Sequence, residues 1–596
     1  MRRPWFEIWF AVLLDEDRRK ALWLRQTYFV PKNGEARATI WGAWFDAGAA
    51  PPNPKTRSAK RVLPIESMEL GGEDALIRIA DARFGMTGAT GGVDGIAWTA
   101  RWTGGTKDRG HLPTWVPAPT HATTLAHDAT AEATVTIDDT THVLRGRAVA
   151  MHLWGKRRVP TLQWIWAPWL GDGSLELTAA SLRDRFAMGV STLALDGPSP
   201  RKGSPATAAH PAGLVTATVA GMRELVHARA WAEPDELVGY AYRDTDDRDL
   251  MVAQSDIGSA HLEVFERPLP GLPWKPVDDR RCAGGVAVEI HQHAALPGVT
   301  YLPWDGAAKP LRVVAPARRS DELDWPELRS IVALGLTYAD HVRETGQTID
   351  PKAPPICFAK QARTFVAGDA RVVVPTSTEL ARALDELEPG LAGELAKRLP
   401  VIPAVMDYEG ELAIVALADV DEAALARHEP QPLGLAACND LTARICQVLG
   451  GDDVRYWSLA KSFAQFLPCA PHVWAPPGGL AAIPELTIAT FVNGEERQRG
   501  STRDLIYDLP AIIRAAVVQL GRPLARGDVI ATGTPAGIGM RMSPLQRRVA
   551  SFVSDRFRRA ELLVSTYATS NALLRPGDVI DVDVGPAGRV RTRLIV

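Results

Sequence analysis

Three short runs in the second half of the chain place carboxylates and an imidazole where they can act together. In GLTYADHVRETG, His341 and Glu344 stand three residues apart where a strand gives way to a helical start, so both side chains share one helix face. A carboxylate that orients an imidazole is a device for activating water, although taken alone the pair reads as a solvated surface pair. In MDYEGELAIVAL, Glu409 and Glu411 flank Gly410 at the head of an apolar strand, and strand residues two apart point the same way. Two carboxylates facing one way repel each other unless a proton or cation lies between them. Hard oxygen ligands of this kind suit Mg²⁺, Mn²⁺ or Ca²⁺; the alternative is an exposed edge strand. In AACNDLTARICQ, Asp440 opens a helical pattern through Arg444 and Gln447, where by itself it reads as a helix N-cap.

Lys461, in WSLAKSFAQFLP, reads alone as a surface charge, and VNGEERQRG is a turn centred on Asn493 and Gly494 between two strands. RGDVIATGTPAGIG is a strand running into a Gly, Thr and Pro-rich loop, with Thr532, Thr534 and backbone amides available to a substrate carboxylate. The loop lacks the G-x-x-x-x-G-K-[ST] pattern, which argues against nucleotide binding.

The elements that position these groups must be sought in a chain of 596 residues, too long for one compact core, so at least two domains are expected. Fifteen of the 18 tryptophans precede residue 305, among short Thr, Val and Ile-rich runs broken by turn formers, which predicts an all-β region. The strands expected there include Ala38–Phe45, Ala75–Ala80, Ala131–Ile137, Ser174–Ala180 and Gly213–Val219, with loops at Asp46–Lys60 and Asp196–Pro211. The opening MRRPWFEIWFAVLL mimics a leader, but Glu7 splits its apolar run and it reads as a first strand. A Pro and charge-rich stretch over Tyr301–Trp325 marks the junction, giving a β-rich domain over 1–305 and a second, catalytic one over 325–596.

The charge is balanced, 67 Lys and Arg against 70 Asp and Glu, which does not call for nucleic acid as a partner. Five cysteines without C-x-x-C spacing fit neither a disulfide framework nor a zinc site, and with no stretch apolar enough to span a bilayer the expected setting is cytoplasmic. His291 and His293 form an H-x-H pair and His152 stands apart; with no third ligand they read as structural.

Taken in order, GLTYADHxxE, DYEGEL, NDLTARxxQ, LAKSF, VNGE and GDVIxTGTPAGIG resemble the fumarylacetoacetate hydrolase family from residue 325 to the end. The resemblance implies an α+β, mixed β-roll holding Mg²⁺ or Mn²⁺, in a family that cleaves or rearranges 2-oxo and 1,3-dicarbonyl acids and commonly forms homodimers. Carried over residue by residue, it makes Glu409, Glu411 and Asp440 metal ligands and His341 and Glu344 the water-activating dyad. Lys461 becomes the charge-stabilising lysine, and Arg444, Gln447 and Thr534 line the substrate site. The implied reaction is metal-dependent hydrolysis of a carbon–carbon bond. Decarboxylation, isomerisation or hydration through the same enolate is the alternative, as is a non-catalytic scaffold.

Two acids usual in the family are replaced, by Ile445 and Ala464, and two helical insertions are expected. One, over Thr376–Ile402, is read as a covering lid, with a packing element as the alternative; the other, over Met540–Leu574, is read as an arginine-bearing surface helix or oligomer contact, with an anionic-ligand patch as the alternative. In the first half, WFEIWFAVLL and HLWGKRRVPTLQWIWAPW resemble the paired lipocalin-like domains of the hydroxyneurosporene synthase and AttH type. That resemblance implies two β-barrels with an apolar cavity for a hydrophobic small molecule; the alternative is that the tryptophans only fill a β-core.

Overall fold

The computed structural model describes residues 3–596 apart from 51–52, 73–74, 107–114, 116, 182–189, 198, 244–248, 303–318 and 542–552. Two sheets, of eleven and ten strands and antiparallel except where Tyr301–Leu302 pairs in parallel with Val238–Arg243, use only residues before 303, and the remaining sheets use only residues after 321. Strict alternation builds the first set. In Ile96–Thr103 the buried positions are Ile96, Trp98, Ala100 and Trp102, and every residue between them is exposed. Trp5–Asp15 is the first strand, as the opening residues imply, and it pairs with Lys20–Val30 and Thr140–Gly155. The second sheet is organised around two 18-residue strands, Asp249–Glu266 and Lys275–Gln292, bent by register shifts between Ser255 and Ala260.

Together the two sheets form a half-barrel and a nearly closed barrel. Their concave faces are filled by side chains, and a third apolar layer including Trp23, Trp41, Trp164, Trp166 and Tyr240 lies where they meet. The expected strands all fall on observed ones. The two expected loops are shorter than the composition suggests, because Thr56–Pro64 and Ala206–His210 are strands at sheet edges. Lys, Arg, Ala and Ser are edge-strand as well as loop residues, since an edge gains from charge and pays little for small side chains.

The carboxyl-terminal set is mixed, as expected. Its main sheet orders Leu433–Asn439, Gly410–Ala416, Asp528–Ala531, Ser330–Gly335 and Ile356–Lys360 side by side, and Ser330–Gly335 runs parallel to Asp528–Ala531. Gly410–Ala416 is buried throughout because both its neighbours and both its faces are covered, so the exposed-edge alternative for Glu409 and Glu411 fails. The first insertion forms helices Ser377–Leu387 and Leu391–Ala396, opened by a Thr376–Glu379 capping box. Leu380, Leu384, Leu391 and Leu395 sink into the core, which makes the insertion a packing element.

The second insertion contains helix Arg556–Thr569, and it corrects the surface-helix expectation. Ala560, Val564, Tyr567 and Ala568 are buried in a cluster that also takes Phe265 and Trp274 from the first half of the chain. Arg556 pairs with Glu388 and Arg558 with Glu561, while Arg547 and Arg548 lie outside the described residues. Among the described residues no helix is long and apolar enough to cross a membrane, and all five cysteines are free.

Candidate active site

The antiparallel register of Gly410–Ala416 with Leu433–Asn439 sets Gly410 opposite Asn439, which brings Glu409 and Asp440 to the same end of the sheet. The Asp440 amide donates to Glu409 O at 2.8 Å and Asn439 Oδ1 accepts the Glu409 amide at 3.2 Å. Asp440 is therefore held by the sheet and not by a helix. The helix begins at Arg444 with Ala443 as its N-cap, because Thr442–Ala443 first pairs with Met406–Asp407. Gly410 separates the two glutamates because a β-carbon there would overlap Thr490 Oγ1 and come within 2.9 Å of Gln498 Oε1.

Glu409, Glu411 and Asp440 are all buried and each offers an oxygen within 4.8 Å of the others. Among the described residues they are the only such group, and His152, His291 and His293 enter none. His152 is bound instead to Glu7 and His291 to Glu289. Burial and the neighbouring Asp440 push Glu411 well above the carboxylate range. Its Oε2 accepts the Gly533 amide at 2.9 Å, but Oε1 is buried without a partner. An orphaned oxygen in a converging set of hard ligands is the donor arrangement a divalent cation satisfies, so these residues fit the expected ion.

Cations surround the cluster. Lys461 Nζ donates to Glu409 at 2.6 Å and to Asp440 at 2.7 Å. Burial works against its charge, but Asp440 and Glu409 outweigh burial and hold the ammonium charged. Arg444 donates from Nε to Asp407 at 2.9 Å and from Nη1 to Gln447 at 2.7 Å, and its Nη2 lies in ion-pair contact with Glu409 at 2.6 Å and Asp407 at 2.8 Å. Lys360 and Asp407 escaped the motif reading. Lys360, at the end of Ile356–Lys360, donates to Asp440 and to Lys461 O, the latter at 2.7 Å. Asp407 accepts from Gly539 N and Met540 N at 2.8 and 3.0 Å, which ties the Gly-Thr loop to Arg444. A lysine closing an apolar strand and an aspartate two residues before Glu409 were the available signals.

His341 and Glu344 lie on helix Ala339–Thr345 with 3.3 Å between Nδ1 and Oε2. Burial raises Glu344, yet the His341 and Gly537 hydrogen bonds prevail and hold its carboxyl below the usual range. Gly537 N donates to Glu344 at 3.0 Å and Ala536 N to Asp340 at 3.2 Å, so the dyad helix is stitched to the loop. The loop threonines are used internally, contrary to the expectation that they await a carboxylate. Thr532 Oγ1 donates to Leu412 O at 2.9 Å and Thr534 Oγ1 to Gly410 O at 3.0 Å. Thr534 still borders the site through Gln498, which donates to it at 2.7 Å. Ile445 is fully buried in the core and Ala464 is exposed, so neither replacement leaves a hole in the cluster.

Residues 330–595 match the model of the family described as Fumarylacetoacetate (FAA) hydrolase C-terminal. The chain is 32% identical over 217 residues to the mitochondrial oxaloacetate tautomerase FAHD1 of Homo sapiens, covering 36% of this chain and 83% of that one. To the oxaloacetate tautomerase YisK of Bacillus subtilis it is 27% identical over 266 residues, 45% of this chain and 69% of that one. A fumarylpyruvate hydrolase from Pseudomonas aeruginosa, solved with Mn²⁺ and pyruvate, aligns at 21% identity and a TM-score of 0.32, over 48% of this chain and 100% of that one. On the strength of its carboxyl-terminal half, the chain belongs to the fumarylacetoacetate hydrolase family.

Proposed function

We propose that this chain hydrolyses a carbon–carbon bond in a 2-oxo or 1,3-dicarbonyl acid, with Mg²⁺ or Mn²⁺ held by Glu409, Glu411 and Asp440. The observation that carries the reading is one loop, 532–540, that holds both the carboxylate cluster and the dyad helix: Gly533 N binds Glu411 and Gly537 N binds Glu344. A bound divalent cation supplies Lewis acidity towards the carbonyl and charge for an enolate. The chain's own groups do the rest. Arg444, oriented by Asp407 and Gln447, offers its positive charge to the substrate carboxylate. His341, steadied by Glu344, takes a proton from water as the water oxygen adds to the carbonyl. When the carbon–carbon bond breaks, its electron pair becomes an enolate beside the Lys461 ammonium, and the histidine's proton completes the second product.

A second reading is keto–enol tautomerisation of a 2-oxo acid, supported by the names of the two tautomerase relatives. There His341 would carry a proton between carbon and oxygen without adding water. The deciding experiment incubates the full chain and Mn²⁺ with acylpyruvates and with oxaloacetate, following products by NMR. Two fragments per substrate support hydrolysis and enol–keto exchange alone supports the second reading. Neither product, together with no Mn²⁺ binding by calorimetry, sinks both.

A further inference from the structure

The two halves of the chain meet across a seam of buried charge. Glu263, on Asp249–Glu266, is 6% exposed and accepts hydrogen bonds from Tyr567 Oη and Arg575 Nε, both at 2.8 Å. Arg575 is 3% exposed, and its other nitrogens donate to Tyr567 O at 2.6 Å and Ser570 O at 3.0 Å, closing the end of helix Arg556–Thr569. One residue earlier, the Leu574 amide donates to Met406 O at 2.8 Å. Met406 begins the two-residue strand that carries Asp407, the carboxylate fastening Arg444 and the loop amides of Gly539 and Met540. Immediately before it, Val405 is a β-branched residue at φ 51°, and its carbonyl accepts the Arg444 amide at 3.0 Å. A β-branched side chain keeps that backbone only where its surroundings over-determine it. Phe265 and Trp274 share one apolar cluster with Tyr567 and Met406, so the seam is continuous core.

We infer that Glu263 is a positioning residue for the reaction: through Arg575, Leu574, Met406 and Asp407, the amino-terminal β half sets where Arg444 grips the substrate carboxylate. The β half thus acts on the active site from behind, through contacts that do not line it. This rests on the role given to Arg444 above. Nothing along the path touches substrate except Arg444, so loss of Glu263 acts mainly on substrate binding. A merely structural seam would change stability and leave substrate binding alone.

The test uses the full chain as wild type, Glu263→Gln, the conservative Glu263→Asp, and Val135→Ala as a stability control in the amino-terminal core away from the seam. Amide hydrogen exchange by mass spectrometry is read over 403–407 and 537–541, alongside KM and kcat for a substrate that turns over. For Glu263→Gln the expected result is exchange at least fivefold faster over 403–407 and KM up about tenfold, with exchange over 537–541, the loop that holds Glu344, unchanged and kcat within threefold of wild type. Glu263→Asp recovers part of the KM, and Val135→Ala moves neither reading. Unchanged exchange over 403–407 in a folded Glu263→Gln protein overturns the relay, as does an equal effect in Val135→Ala. If no 2-oxo or 1,3-dicarbonyl acid turns over, the reaction assignment fails on its own and hydrogen exchange still decides the relay.

Discussion

Replacing Lys461 by Met separates two roles that the geometry gives one side chain. Its ammonium lies 2.6 Å from Glu409 and 2.7 Å from Asp440, two of the three carboxylates that would hold the cation. Lysine and metal therefore compete for the same oxygens and repel each other. A pair of unit charges about 4 Å apart is worth about 4 kcal/mol at an effective dielectric near 20. Relaxation and the remaining cations, Lys360 and Arg444, recover much of that, leaving about 1.4–2.8 kcal/mol, or a 10–100-fold gain in Mn²⁺ affinity for the variant. Metal-free, the same change leaves buried carboxylates without their donor and costs about 3–5 kcal/mol. Catalysis moves the other way. Loss of a preorganised charge beside the forming enolate lowers kcat by about 10²–10³. Calorimetric titration with Mn²⁺, thermal unfolding with and without the ion, and steady-state kinetics read all three quantities. A variant that binds Mn²⁺ more weakly than wild type would refute the reasoning, because lysine would then be supporting the ion and not competing with it.

Four further outcomes are expected. His341→Ala lowers turnover about 10²–10⁴-fold while leaving the Mn²⁺ dissociation constant within threefold, as checked by kinetics and calorimetry on one preparation. Gly410→Ala drives a methyl into Thr490 and Gln498 and loosens the strand between the two glutamates. The cost is about 1–3 kcal/mol and at least tenfold in Mn²⁺ affinity, measured by unfolding and titration. Lys360→Met weakens the fold because Asp440 loses one of its two lysines, and the deficit shrinks in saturating Mn²⁺, read as a larger metal-induced rise in Tm than wild type shows. His227, bonded to Ala568 O across the seam, is lowered by burial to about 4. The unfolded chain therefore takes up the proton first, so the contribution of His227 is intact above about pH 6.5 and is lost as pH falls from there towards 4. At pH 5 that loss is about 2 kcal/mol, and His227→Gln should flatten the acid limb of a Tm–pH curve.

What could be read in the residues was local. The His341–Glu344 spacing, the Glu409–Gly410–Glu411 triplet and the Asn493–Gly494 turn each encode their geometry within a few consecutive residues, and the structure has the pair on one helix, the two glutamates converging and the turn between paired strands. Asp440 misled because a carboxylate before an apolar helical run has two uses. The choice between them depends on Met406–Asp407 arriving to pair with Thr442–Ala443. Lys360 reaches Asp440 from 80 residues away, and no periodicity announces such a partner. The edge strands Thr56–Pro64 and Ala206–His210 were hidden because half of their pairing face meets solvent and carries loop-like residues. The helix Arg556–Thr569 reads as a surface element for a similar reason. Its arginines are plain in the sequence, whereas the Phe265 and Trp274 that cover its other face lie in a distant part of the chain.

The seam also has a consequence in time. Glu263 leaves the ribosome 312 residues before Arg575, and Arg229 precedes its partner Asp578 by 349. At about 5–20 residues per second, Glu263 waits about 15–60 s for its counter-charge. Through that interval the early β-sheets present a carboxylate and an arginine on a face shaped to be covered, with neither counter-charge in place until residues 575–578 have been made. A long stretch of synthesis therefore passes with this face unprotected, until the helix Arg556–Thr569, Arg575 and Asp578 emerge to cover it.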